Sequence, residues 1–231
     1  MAKVIALLSG GMDSTTLVAK LIHDGHQVES VGINYGQRHS KELDSAKAVA
    51  AHFAIPFDVV SLESVKPFLG GSALTDDVTV PDGHYAENTM RITVVPNRNG
   101  MMLNVVAGIA VARKAQHIAT AIHSGDHYIY PDCRPEFFEA MSKAIELGTK
   151  SFGDITILAP FVQISKADIA KVGKEVNAPL ELSWSCYKGG EIHCGACGTC
   201  FERREAFELA GLDDPTVYAS FPHYDNPLET K

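Results

Sequence analysis

The sequence predicts an α/β fold built on a mostly parallel, doubly wound sheet, and three observations predict it. Short apolar runs alternate with stretches of helical periodicity along most of the 231 residues. The first run passes through paired glycines into a helix, at the strand end where open α/β sheets bind ligands. A hydrophobic fraction of 45% and a charged fraction of 21% are those of a globular chain with a real core.

The elements follow in order. Residues 4–8 form the first apolar run, and Leu17, Val18, Leu21 and Ile22 follow at helical spacing until Gly25. Residues 28–34 read as the second strand. Leu43, Ala46, Ala50 and Phe53 line a second helix, and residues 57–60 read as a third strand. Periodicity fades from 63 to 96, a length that marks a functional lid or an insertion. Met102, Val105, Val106, Ile109 and Ala110 restore a helical stripe. A strand at 117–122, a helix face of Phe137, Phe138, Met141 and Ile145, a strand at 155–158 and a helix bearing Ile169, Val172 and Val176 complete the alternation. A short helix is expected at 203–209, and the tail from Asp213 as a loosely packed arm. The expected division is an α/β domain over 1–182 and a C-terminal module, helix and tail over 183–231.

Composition excludes several classes. No apolar run reaches 18 residues, so no membrane span is expected, and the N-terminus runs into a strand without a leader-like segment. A cytoplasmic protein is the expectation. Twenty basic against 28 acidic residues give a net charge of −8, which argues against direct nucleic-acid binding.

Ser9-Gly10-Gly11-Met12-Asp13-Ser14-Thr15-Thr16 carries the clearest chemistry. Paired glycines let successive N–H groups turn toward an anion, and the helix starting near Ser14 adds its positive end. Ser9, Ser14 and Thr15 add hydroxyl donors. The loop has no lysine to follow a γ-phosphate, so it belongs to neither the kinase-type nor the dinucleotide pattern.

Cys186, Cys194, Cys197 and Cys200 crowd into 15 residues, which in a reducing compartment points to a metal rather than disulfides. Four thiolates suit a closed, structural tetrahedral Zn²⁺, and the spacing also permits an iron–sulfur cluster. His193 is redundant as a ligand, and His123 and His127 read as hydrogen-bonding residues. Cys133 reads as packing. Polar clusters then fall after the strands: Tyr35 to His39, Asn97-Arg98-Asn99, Ile122 to His127, Tyr130 to Phe137, and Gln163 to Lys166, with Ser165 an N-cap.

Ser-Gly-Gly-Met-Asp-Ser-Thr resembles the pyrophosphate loop of the PP-loop ATP pyrophosphatases, whose fold is of the adenine nucleotide alpha hydrolase type. That resemblance implies cleavage of ATP to AMP and pyrophosphate through an adenylated intermediate. With Tyr-Gly-Gln-Arg-His, Val-Pro-Asn-Arg-Asn, Tyr-Pro-Asp-Cys-Arg-Pro-Glu-Phe and Trp-Ser-Cys-Tyr-Lys-Gly-Gly ahead of the cysteines, nearly the whole chain is similar to the 7-cyano-7-deazaguanine synthases, the QueC family. The family converts 7-carboxy-7-deazaguanine, ammonia and ATP to the nitrile that leads to queuosine.

The resemblance implies that Leu8, Ser9, Gly10, Gly11, Met12, Asp13, Ser14, Thr15, Thr16, Leu17 and Val18 bind ATP with Mg²⁺, and that the four cysteines hold one structural Zn²⁺. It places Asp126, Tyr130, Asp132 and Arg134 near the deazaguanine. Asp13, Ser14, Arg98 and Lys166 are the catalytic candidates, Asp13 either as a Mg²⁺ ligand or as a brace of the loop. A homodimer is also implied. Residues 89–92 depart from the family pattern. The rival readings are a tRNA-thiolating PP-loop enzyme with an iron–sulfur cluster, which the −8 charge opposes, and a nucleotide-sensing adaptor.

Overall fold

In the computed structural model, which describes residues 1–37, 41–85 and 88–225, five strands form one wholly parallel sheet. They are β1 (Lys3–Leu7), β2 (Gln27–Asn34), β3 (Phe57–Ser61), β4 (His117–Ala119) and β5 (Thr156–Leu158), in the order β3-β2-β1-β4-β5. The chain winds outward from β1 to β3 and then crosses to β4. The sheet therefore reverses its winding between β1 and β4, where such sheets open a crevice.

Strand alternation decides which helices cover which face. Val4, Ala6 and Leu8 point into a core with α1 (Met12–His23), α2 (Lys41–His52), α5 (Lys166–Glu175) and α6 (Gly198–Ala210). Ile5 points the other way, with Val31 and Ile33, against α3 (Arg98–Ala112) and α4 (Pro135–Thr149). Both faces are thus buried, as a parallel sheet requires.

Three details differ from expectation. β4 ends at Ala119, and after a last bond from the Thr120 N–H to the Leu158 carbonyl residues 120–122 become cavity wall. α6 begins at Gly198 rather than 203, because Cys197 supplies an extended N-cap that the cysteine turn holds in place. The tail is not a loose arm over its described part. Asp214 accepts from the fully buried Arg203 at 3.2 Å, and Tyr218 is buried with its hydroxyl on Asp214. Arg203 also donates to Ser183 Oγ at 2.7 Å and to the Leu180 carbonyl at 3.0 Å, so one guanidinium ties α6, the tail and the chain before the cysteines together.

The irregular stretch is packed rather than open. Ala73 and Val80 join Cys186, Cys197 and Cys200 in a small core, Asp82 bridges Cys197, and Met90 fits against Gly198. Met90 lies in the segment that departs from the family pattern, and its role here is packing. No described helix is long and apolar enough to cross a membrane.

Candidate active site

The loop after β1 is shaped by one glycine. Gly10 has φ +87°, and a Cβ there would sit 2.1 Å from the Glu42 carbonyl oxygen. Only glycine allows the loop to pass this close to α2. Gly11 then caps α1 without any side-chain hydrogen bond, which leaves the first-turn N–H groups for a ligand. Ser9 Oγ and Ser14 Oγ lie 3.1 Å apart, and Ser14 Oγ donates to the Gly11 carbonyl, so the two hydroxyls rim the turn.

A charged network stands over this loop. Lys166, at the first turn of α5, lies 3.3 Å from Asp13 Oδ2 and 2.6 Å from Glu202 Oε2. Its helix is fixed by a full capping box between Ser165 and Asp168. Burial opposes the Lys166 charge, yet Asp13 and Glu202 outweigh it and keep the ammonium protonated. Burial would likewise raise the Asp13 carboxyl, but Lys166 and His123 hold it below the usual carboxylate value. Burial raises Glu202 against the pull of Lys166. His123, 1% exposed, accepts from the Gly125 N–H through Nδ1, which puts its proton on Nε2, facing Asp126 Oδ2 at 3.4 Å and Asp13 Oδ2 at 3.7 Å. Asp126 also accepts from the Tyr85 hydroxyl at 3.0 Å.

The loop and this network share a cavity of about 210 Å³ with a second, more aromatic end. Tyr35, Tyr130, Tyr187, Glu42 and Arg98 line that end. Arg98 donates to the Tyr35 hydroxyl at 3.3 Å and lies 5.4 Å over its ring. Asn97, in a left-handed conformation at φ 54°, turns the chain into α3 and sets Arg98 and Asn99 at its first turn.

The four cysteine sulfurs converge beside the cavity. All lie within 4.8 Å of one another, and Cys194 and Cys200 are 3.9 Å apart. A tetrahedral shell with bonds of about 2.3 Å has S···S edges of about 3.8 Å, so the sulfurs fit a metal of that geometry. The Cys194 sulfur accepts from the N–H groups of Ala196 and Cys197, and the Cys186 sulfur from that of Cys194. His193 takes no place among the ligands; its Nε2 accepts from the Ser185 N–H, and its ring packs 4.2 Å from that of Trp184. Ser185 and Thr199, next in sequence to Cys186 and Cys200, line the cavity, so the cysteine module forms part of its wall.

Residues 3–211 match the family model described as queuosine biosynthesis protein QueC. The chain is 50% identical to the 7-cyano-7-deazaguanine synthase of Brucella anthropi over 99% of both chains. It is equally similar to that of Brucella ovis, over 94% of this chain and 93% of the relative. The chain belongs to the QueC family. It is an enzyme of queuosine biosynthesis. Among solved structures, NMN synthetase from Francisella tularensis superposes with a TM-score of 0.48 at 15% identity, covering 94% of this chain and 79% of that one, too loose a likeness to bear on function.

The QueC resemblance offered more site residues than the cavity gathers. Leu8, Ser9, Gly11, Met12, Asp13, Ser14, Arg98, Lys166, Asp126 and Tyr130 line it. Gly10 shapes the turn behind it. Thr15, Thr16, Leu17 and Val18 are fully buried in α1, and the Thr15 hydroxyl, expected to face the anion, has no hydrogen-bond partner among the described residues. Asp132 is absorbed elsewhere: its Oδ2 accepts from the Asn99 N–H at 2.8 Å and so caps α3. Arg134 is exposed and donates to the His127 carbonyl. Cys133, read as packing, is buried in a small apolar cluster and also lines the cavity, with burial raising its thiol and Asn99 donating to the sulfur. Arg38 and His39 lie outside the described residues.

Sequence reasoning missed Glu42, Tyr85, Tyr187 and Glu202. Glu42 and Glu202 sit inside helices, where an acidic residue reads as a solvated face. Tyr187 was visible only as part of a family motif.

Proposed function

We propose that this enzyme converts 7-carboxy-7-deazaguanine and ammonia to 7-cyano-7-deazaguanine, consuming ATP as AMP and pyrophosphate. The observation that carries this reading is the 50% identity, over 99% of the chain, to an enzyme named for that product. A carboxylate cannot release oxide, so its oxygen is first adenylated. Ammonia displaces AMP to give the amide, the amide oxygen is adenylated in turn, and loss of AMP leaves the nitrile. Acid, ammonia and two ATP thus yield nitrile, two AMP and two pyrophosphate.

Each adenylation needs a cradle for the departing pyrophosphate. The uncapped start of α1 supports that role for residues 8–14, and Lys166 supplies the cation to offset the developing charge. Asp13 Oδ1 is buried without a partner among the described residues, which supports Asp13 as the group that meets the Mg²⁺ of Mg-ATP. Arg98 and Tyr130 at the aromatic end of the cavity, and Asp126 between that end and the loop, would face the deazaguanine. The four thiolates would hold one Zn²⁺ with no open coordination position, which makes it structural. On this reading residues 1–182 carry the chemistry and 183–231 complete the wall, in a cytoplasmic homodimer that does not itself bind nucleic acid.

The test is incubation with 7-carboxy-7-deazaguanine, ammonium and Mg-ATP, followed by mass spectrometry. A product carrying the nitrile, with AMP formed only when the acid is present, is the expected result. AMP formation indifferent to the acid, or an amide as the final product, would replace this reaction with another.

A further inference from the structure

The chemistry proposed above assigns Glu42 no part, yet its carboxyl lines the cavity. It stands on the first turn of α2, half-buried, in the wall shared by Tyr35, Gln37 and Tyr187. No hydrogen bond or ion pair reaches it from the described residues, and Arg98 is the cation near enough to act on it through space. Two of the neighbouring donors are engaged elsewhere, and the Tyr187 hydroxyl makes no hydrogen bond to Glu42. Gln37 accepts from the Tyr35 N–H at 2.9 Å and donates to the Ile33 carbonyl, while Arg98 donates to the Tyr35 hydroxyl. Burial accordingly pushes the Glu42 carboxyl up to about 7.

A half-buried acceptor pair with no donor among the described residues is costly unless a ligand supplies the donors. Resting on the function proposed above, we propose that Glu42 is the specificity residue for the substrate's base, accepting from the adjacent N1–H and 2-amino groups of a guanine-type edge. Two parallel donors match the two oxygens of a carboxylate. Adenine does not match them: its edge sets an acceptor, N1, beside the 6-amino donor, so one carboxylate oxygen would face a lone pair. Ammonium would pair with one carboxylate but would leave the surrounding tyrosines unused. The 7-carboxyl projects from the opposite end of the bicycle, so a base held by Glu42 keeps its reacting group away from the residue that recognises it. The 2-amino group is also what a purine lacking it, such as a hypoxanthine-type analogue, cannot present. Discrimination of this polar kind is the kind a site achieves most strongly, because the wrong ligand leaves a buried group unpaired.

The experiment compares 7-carboxy-7-deazaguanine with its analogue lacking the 2-amino group, in the wild type, Glu42→Ala and Glu42→Gln. KM is measured separately for the acid, ATP and ammonium. The wild type is expected to prefer the amine-bearing acid by ~10²-fold. Glu42→Ala is expected to raise the KM of that acid by ~10²-fold and to erase the preference, with KM for ATP and ammonium within ~3-fold of the wild type. Glu42→Gln, isosteric and folded, keeps one acceptor and falls between the two. An unchanged preference in both variants overturns the assignment. So does a rise confined to the KM of ammonium, which would make Glu42 an ammonium site, or to that of ATP, which would make it a reader of adenine. A wild type that makes no nitrile from either acid overturns the proposed reaction instead. Binding of the two parent bases, without the carboxyl, then still shows whether Glu42 selects the 2-amino group.

Discussion

The loop after β1 and the cysteine turn before α6 use the same backbone device for opposite ends. Each brings the chain to a helix N-terminus through a glycine that nothing else could replace. A Cβ on Gly10 would lie 2.1 Å from the Glu42 carbonyl oxygen, and one on Gly195 would lie 1.8 Å from that of Ser220. Both helices start without a side-chain cap, at Gly11 and at Cys197. The cysteine turn spends its N–H groups on sulfur, on Cys194 and Cys186. The first loop leaves its own toward the cavity, below a lysine and beside Asp13, whose Oδ1 has no partner among the described residues. A permanent ligand allows every group to be satisfied within the protein. An exchangeable ligand requires that some groups wait, and waiting groups cost stability.

That contrast can be broken most sharply with Asp13→Ala and Ser14→Ala together. AMP formation is expected to fall more than ~10³-fold, while metal content and thermal stability stay at wild-type levels. AMP formation at the parental rate would remove the loop from the chemistry.

Cys194→Ala is expected to act in the reverse sense. With the metal shell opened, stability falls by about 4–5 kcal/mol and the midpoint of thermal unfolding by ~10 °C or more, and activity falls in proportion to folded protein. On the zinc reading proposed above, cobalt in its place keeps the tetrahedral geometry and should leave turnover and its pH profile unchanged. A well-folded Cys194→Ala protein with no turnover, together with a displaced profile for the cobalt form, would make the metal catalytic.

The two glycines give a matched pair. Gly10→Ala should displace the cradle and lower turnover by ~10²-fold with metal retained. Gly195→Ala should release metal and lower the unfolding midpoint. The same response in both variants would erase the distinction between the two turns.

The smallest effect concerns Glu42. Its carboxyl rises from an ordinary value near 4.5 to about 7 in the folded protein, so folding favours the protonated form. The contribution is intact below pH 4.5 and is lost as the pH climbs through 7. Glu42→Gln should therefore raise the unfolding midpoint of the ligand-free protein by ~7 °C at pH 8 and leave it nearly unchanged at pH 4.5. An equal shift at both pH values would show that ionisation plays no part. Saturating acid substrate should reverse the sign at pH 8, because the wild type alone gains the paired donors.

The sequence by itself determined the alternation of strands and helices, the glycine turn after the first strand and the thiolate set. Each of these is local: a strand's apolar run, two adjacent glycines, or cysteines a few residues apart state their purpose within a short window. The tertiary structure alone decided which polar residues meet. Asp132 and Asp126 are six residues apart in similar company, yet Asp132 caps α3 while Asp126 faces the cavity. Glu42 and Glu202 look like surface acids in their helices until the sheet's change of winding brings α2, α5 and α6 to one crevice. The tail from Asp213 lacks any periodic signal, but the buried Arg203 captures Asp214 and anchors the described part of it. Whether a charged residue is solvated or held at a site depends on what long-range packing places opposite it, and no local pattern encodes that partner.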